Sequence, residues 1–294
     1  MMKSRLFLTS LARKGLSFFI IATFLCGCFS PVTTPVYDNI VSAITNICWN
    51  EYKISVKVKQ LDSTLWIYVP VEGIFEKADK AEKYKEKFEI LNYKAKFETG
   101  ALRIEYQIKP KKEEEKAQEF KYNKNVLEKM NNIWMVLRRV LFSMDRRQQE
   151  EPKFFCVVTA DIKNGLELRQ TFYYLDLKKV SYGFISWGEY QHRVIQNTRI
   201  VPEAVGDKEG TYVQYKKITL DEFIAAQIEQ RIGLKFQKPE VDKNANIDKE
   251  IINASVFTIK TYNFHDFTSV ELNNQNTSNK IILNNAAVWA RDTN

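Results

Sequence analysis

Hydrophobic and polar positions change period repeatedly along this chain, and each change marks an element. Ile40, Val41, Ile44, Ile47 and Cys48 fall on one helical face with Asp38 placed to cap it, so a helix is expected to about Cys48. From Tyr52 the period drops to two: Tyr52, Ile54, Val56 and Val58 alternate with Lys53, Ser55, Lys57 and Lys59, the pattern of a half-buried strand. Beyond the turn formers Asp62-Ser63, both faces of 65–71 are apolar, which predicts a more central strand. Ile74, Ala78, Ala81, Tyr84, Phe88 and Leu91 return to helical spacing, and Glu76 with Lys80 and Asp79 with Lys83 form i,i+4 pairs that support a helix. Tyr93, Ala95 and Phe97, then Leu102, Ile104, Tyr106 and Ile108, alternate about Glu98-Thr99-Gly100-Ala101 and predict a hairpin. The run 109–116, with Pro110 and opposed charge blocks, reads as a solvated loop open to proteolysis.

Val126, Met130, Ile133, Trp134, Leu137, Val140, Leu141 and Met144 trace a strong helical stripe over 125–144, followed by Arg146 and Arg147 where the helix dipole favours cations. Two strand-like runs, 154–162 and 166–177, flank Asn164-Gly165, a two-residue hairpin signal. Ser186 with Glu189 makes a capping box for a helix to about Gln196. A turn over 206–210, a strand over 211–218, and a helix striped by Phe223, Ile224, Ile228 and Ile232 and closed by Gly233 follow. Residues 238–248 read as a linker, and β-prone runs at 256–264, 267–272 and 281–283 read as a short β appendage or closing strands. Locally paired strands with one mostly polar face give an α+β fold, an antiparallel sheet built from β-hairpins with helices packed on one face. Hairpin followed by helix occurs three times, but the residues are too different to imply duplication.

The N-terminus changes the picture. Lys3, Arg5, Arg13 and Lys14 precede the apolar run 15–25, which at about eleven residues is too short to span a bilayer and has the shape of an export signal. Leu25-Cys26-Gly27-Cys28 ends it and resembles the lipobox of bacterial lipoprotein precursors. That resemblance implies a signal peptide over 1–27, lipidation of Cys28 as the first mature residue, and exported protein anchored by acyl chains in the cell envelope. Two or three chains make such an anchor stable. Phe29 in place of Asp implies outer-membrane sorting if the source is Gram-negative. Residues 28–37 then form a short tether, 38–238 an α+β globular domain and 239–294 an Asn-rich C-terminal β segment. Loss of 1–27 removes four cations and no anion, so the net charge falls from +8 to +4.

Apolar content of 45%, with 19 Phe, 14 Tyr and 5 Trp against only 10 Gly and 7 Pro, excludes a disordered chain and predicts a well-packed core. Export leaves Cys48 and Cys156 where a disulfide persists, so they either pair or remain as buried thiols. His192 and His265 have no metal-ligand spacing around them, and neither a G-x-S-x-G elbow nor a phosphate-binding glycine motif occurs, so no metal or cofactor is expected. A two-residue turn at Asn164-Gly165 puts Asp161 and Asp176 at opposite ends of their hairpin, not in a local dyad. Lys53, Lys57 and Lys59 form a candidate face for an anionic ligand, alongside the reading as an ordinary solvated face. The expected function is a non-enzymatic envelope lipoprotein that binds a protein or an anionic polymer. The alternative is an envelope glycan- or lipid-acting enzyme using carboxylates from distant segments. Nucleic acid is not an expected partner.

Overall fold

The protein is described here as a computed structural model covering residues 39–144, 152–237 and 241–291. Cys28 with its signal-like segment, the tether, and Arg146 and Arg147 lie outside the described residues. The fold is α+β, but the strands form two mixed sheets rather than one antiparallel sheet. The first has the order β1-β2-β5-β6-β7, with β1 Lys57–Leu61, β2 Thr64–Val71, β5 Phe154–Asp161, β6 Leu166–Tyr173 and β7 Ile195–Ile200. Its neighbours are antiparallel except β2 and β5, which run parallel from Thr64↔Phe154 to Val71↔Asp161. Helices α1 (Ile40–Tyr52) and α2 (Lys124–Met144) cover one face, where Ile44, Ile47, Val136 and Leu137 pack on Leu65, Ile67, Phe155 and Val157. The other face carries Trp66, Tyr68, Phe154, Cys156 and Val158, covered by the segment 201–219, which opens with a 3-10 turn at Pro202–Ala204. With both faces buried, β2 has the central place its doubly apolar pattern predicts.

The second sheet has the order β3-β4-β8-β9, with β3 Phe75–Glu98, β4 Ala101–Tyr122, β8 Ser269–Asn274 and β9 Asn279–Asn284. The predicted hairpin about Thr99-Gly100 is its centre, and β8 adds parallel to β4. Leu102, Ile104, Tyr106 and Ile108 face α5 (Leu220–Gln237) and α6 (Ile247–Thr261). The helix expected over 74–91 and the loop expected over 109–116 are instead the two strands of one long ribbon. Lys83 pairs with Glu115 at 2.7 Å, Lys85 with Glu113 at 3.3 Å and Lys121 with Asp79 at 2.7 Å, while no residue of 76–87 or 109–121 is buried. Such exposed pairs contribute little energy each and join the two strands mostly on the diagonal. The expected Glu76–Lys80 and Asp79–Lys83 pairs do not form. Pro110, lacking an N–H, sits opposite Phe88 beside a register irregularity, where a ladder bond is dispensable. Asn123 N donates to Ile74 O at 2.9 Å and closes the neck of the insertion.

Other differences also have local causes. Asn39, not Asp38, caps α1 through Ser42 N at 2.8 Å, and the helix runs past Cys48 to Tyr52. Asp161 faces Leu166, so Asn164-Gly165 closes a four-residue loop and not a two-residue turn. The Asp161 carboxylate organises that loop, accepting from Lys163 N and Asn164 N at 3.1 Å and from Ile74 N at 3.0 Å. Burial opposes its ionisation, but these hydrogen bonds outweigh it and hold its pKa below the usual carboxylate value. The second strand ends at Tyr173, and 174–181 is helix α3 (Tyr174–Ser181). Ser186 caps α4 (Trp187–Arg193), its side chain accepting from Glu189 N at 3.1 Å. Residues 211–218 are an extended strap without strand pairing. Helix α5 passes straight through Gly233, where a Cβ would stand 2.7 Å from Tyr93 Oη, so glycine there serves close packing, not termination. Residues 256–261, expected as strand, are the end of α6, whose N-cap Asn246 accepts from Lys249 N at 3.0 Å. Helix α7 (Asn285–Ala290) follows β9.

Candidate functional site

The strap makes the site. It crosses the second face of the first sheet and is pinned by buried donors: Tyr68 Oη donates to Asp207 O at 2.5 Å, Trp66 Nε1 to Lys216 O at 2.9 Å, and Ile218 N to Thr64 Oγ1 at 2.9 Å. Its far end delivers Lys217, Ile218 and Thr219 to one side of a cleft of about 750 Å³. Lys153 and Phe154, at the start of β5, form the floor. Their amides donate to Ser63 O at 2.8 and 3.1 Å, which fixes them against the β1–β2 turn carrying Asp62. Tyr173, Tyr174, Leu175 and Lys178 complete the opposite wall, and Tyr174 N donates to Lys153 O at 2.9 Å.

Charge and dipoles in this cleft favour an anion. Lys153, Lys178 and Lys217 line it against a single described carboxylate, Asp62. Two helices begin there, α3 and α5, both lining the cleft with first-turn residues. Tyr173 provides no side-chain cap for α3, whereas Thr219 and Glu222 exchange hydrogen bonds at 3.3 and 3.5 Å at the start of α5. Asp62 is held below its ordinary pKa by the hydrogen bond and charge of Lys217, with Lys153 adding to it. That ion pair is exposed on both sides, so Lys217 is available for exchange onto a ligand. Lys178 lies 4.5 Å over the Tyr174 ring. Phe154, Tyr173, Tyr174 and Leu220 give the cleft an apolar wall, and its size suits a small molecule.

The residues singled out from the sequence lie elsewhere. Lys53 is the left-handed C-cap of α1 (φ 56°), outside the strand, and its Nζ donates to Asn50 O at 3.1 Å. Lys57 pairs with Glu209 at 2.6 Å, and Lys59 lies 4.8 Å over the Tyr215 ring. Lys53 therefore lies off the strand face that Lys57 and Lys59 share, and both of those engage the strap. Cys48 and Cys156 are buried free thiols, not a disulfide: Cys48 packs under α1 on one face of the first sheet and Cys156 points to the other, so the sheet separates them. Burial pushes both thiols up to about 12. Asp176 is engaged by Arg193 and Tyr262, away from Asp161. His265 stacks on Trp289 at 4.2 Å, and His192 is exposed beside α5. Among the described residues no group of three His, Cys, Asp or Glu is placed to hold a metal ion.

Sequence reasoning missed Asp62, Lys153, Lys178 and Lys217 as site residues. Each is an unremarkable surface charge in its own segment, and only the strap and the parallel β2–β5 pairing bring them together. Compared with protein-family models, curated proteins and solved structures, the chain matches none.

Proposed function

We propose that this protein is an exported lipoprotein, held in the cell envelope by acyl chains on Cys28, whose domain is a non-enzymatic module binding an anionic amphiphile. Where the source has an outer membrane, the anchor is sorted there. The anchor rests on Leu25-Cys26-Gly27-Cys28, and Cys28→Ala is expected to move the protein from the membrane fraction to the soluble fraction on cell fractionation. Retention in the membrane fraction would remove the lipid anchor from this reading.

The observation that carries the binding reading is the convergence of Lys153, Lys178 and Lys217 on a cleft walled by Phe154, Tyr173 and Tyr174. A cationic mouth over an apolar wall matches a ligand with a phosphate or carboxylate head and a hydrocarbon or ring body. Its single described carboxylate gives no acid–base pair for glycoside chemistry, which places the enzyme reading second.

The test is calorimetric titration of the full chain with hexyl phosphate and with hexanol, which share the same tail. Hexyl phosphate should bind about tenfold tighter or more, because hydrogen bonds to a charged group contribute about 1.5–3 kcal/mol each. Lys153→Ala and Lys217→Ala should each erase most of that difference, while Asp62→Asn, which frees Lys217, should enlarge it. Equal affinity for the two probes would sink the anion reading.

A further inference from the structure

The first sheet ends at β7, and this edge differs from the other edges of the two sheets. The β1 edge carries Lys57 and Lys59, tied to the strap through Glu209 and Tyr215. The β3 edge is met by α5, where Ala95 N donates to Glu229 Oε1 at 2.7 Å. The β9 edge carries Lys280. Exposed lysines and covering elements are among the usual means of blocking an edge against strand addition. Strand β7 has neither lysine nor proline nor bulge, and all five residues from Gln196 to Ile200 are exposed, Ile200 by 78%. Its one charge, Arg199, is turned onto the sheet and held by Glu167, Nε to Oε1 at 2.9 Å and Nη2 to Oε2 at 3.1 Å.

Hydrogen-bond parity shows which backbone groups this edge offers. Val201 N donates inward to Gly165 O at 2.7 Å, whereas Gln196 N points outward, to Gln230 Oε1 at 2.7 Å. Even-numbered positions of β7 therefore face away from β6. The N–H and C=O of Thr198 and of Ile200, and the C=O of Gln196, meet no partner among the described residues. Beside Gln196 and Thr198, between β7, α5 and Tyr93, runs a groove of about 680 Å³. Its walls are mostly uncharged amides and hydroxyls, among them Asn197, Thr198, Gln191 and Gln237, with Glu229 committed to Ala95 N. Helix α5 lines the groove opposite the edge, so an extended segment added here runs between Thr198 and the amides of Gln191, Gln230 and Gln237.

We infer that β7 is a docking edge for an extended, uncharged segment of another polypeptide, which adds as a sixth strand and pairs with Thr198, Ile200 and the C=O of Gln196 while its polar side chains meet the amide groove. Backbone pairing supplies the affinity in this mode, and the side-chain lining selects against charge.

The probe is a short fluorescein-labelled peptide alternating Thr and Asn, with one Val to sit opposite Ile200, followed by fluorescence anisotropy on the full chain. Its control is the same peptide N-methylated at every second residue, which keeps the side chains and loses the pairing N–H groups. The unmethylated peptide should bind, and methylation should weaken it about tenfold or more. Thr198→Pro should weaken it similarly. Residue 198 donates outward, so proline there spares the ladder to β6. Thr198→Lys, an edge-blocking charge compatible with any strand, should do the same should the proline variant prove misfolded. Equal binding of both peptides, or no binding at about 1 mM peptide, would overturn the inference. So would a concentration-dependent dimer of the chain that Thr198→Pro abolishes, since the edge would then belong to a second copy.

Discussion

Replacing Arg193 by Ala is expected to cost about 3–5 kcal/mol of stability, the penalty for leaving a buried carboxylate without its ion-pair partner. The carboxylate is Asp176, 1% exposed in the first turn of α3. Arg193 Nη1 meets its Oδ1 at 2.7 Å, Tyr262 Oη donates to its Oδ2 at 2.8 Å, and Arg193 Nε meets Glu189 Oε1 at 2.9 Å. Burial works against the Arg193 charge, but the Glu189 and Asp176 carboxylates outweigh it and keep its pKa above the ordinary value. The group ties α3, α4 and α6 together, so its loss loosens the wall carrying Tyr174 and Lys178 as well. For a domain of this size the midpoint of thermal unfolding should fall by about 10 °C, at about 2–4 °C per kcal/mol. The double change Arg193→Met with Asp176→Leu should recover most of the loss, because burying two apolar side chains carries no desolvation penalty. If the single variant unfolds with the parent, Asp176 is not held as described.

Gly210→Ala is expected to cost about 3 kcal/mol, from backbone strain and overpacking together. Gly210 has φ +73°, and a Cβ there would lie 2.8 Å from Tyr68 Cγ and 3.0 Å from Tyr215 Oη. Tyr68 is fully buried at the centre of the first sheet and has no room to withdraw. The neighbouring Asp207 already gathers the N–H groups of Glu209, Gly210 and Thr211 at 2.9, 2.9 and 2.6 Å, so the strap cannot shift without losing them. Gly206→Ala is the control. Its φ of +76° imposes the same strain, but nothing stands within 4 Å of the added Cβ, so only the backbone cost of about 1 kcal/mol should appear. Chemical denaturation of the two variants measures the difference, and equal losses would mean that the strap is not clamped on Tyr68. Because the strap ends at Lys217 and Ile218, Gly210→Ala should also weaken hexyl phosphate binding, whereas Gly206→Ala should not.

Errors in reading the chain concentrate where pairing is distant. The stripe of α2 and the alternation about Thr99-Gly100 were legible because each reports burial along a single element. The Lys/Glu-rich halves of the ribbon looked like a helix and a loop when taken separately. Each satisfies local rules, and only their backbone pairing with each other across the hairpin makes them strands. Residues 256–261 mislead in the opposite sense: their β-branched side chains favour a strand, but Val256 and Ile259 are buried on the helical face of α6. Gly233 carries a stop signal that the Tyr93 ring turns into a contact.

By itself, then, the sequence determines the α+β character, the central β2, the core helix α2 and the hairpin at Gly100, because side-chain periodicity and turn chemistry are local. Tertiary structure alone decides that the sheets are two, that β2 and β5 run parallel, that the cysteines face opposite ways and that the lysines which converge are Lys153, Lys178 and Lys217 rather than Lys53, Lys57 and Lys59. The reason is distance along the chain: the bond from Ile218 N to Thr64 Oγ1, which sets the strap beside the cleft, joins residues 154 positions apart. No periodic pattern in either segment encodes that partner.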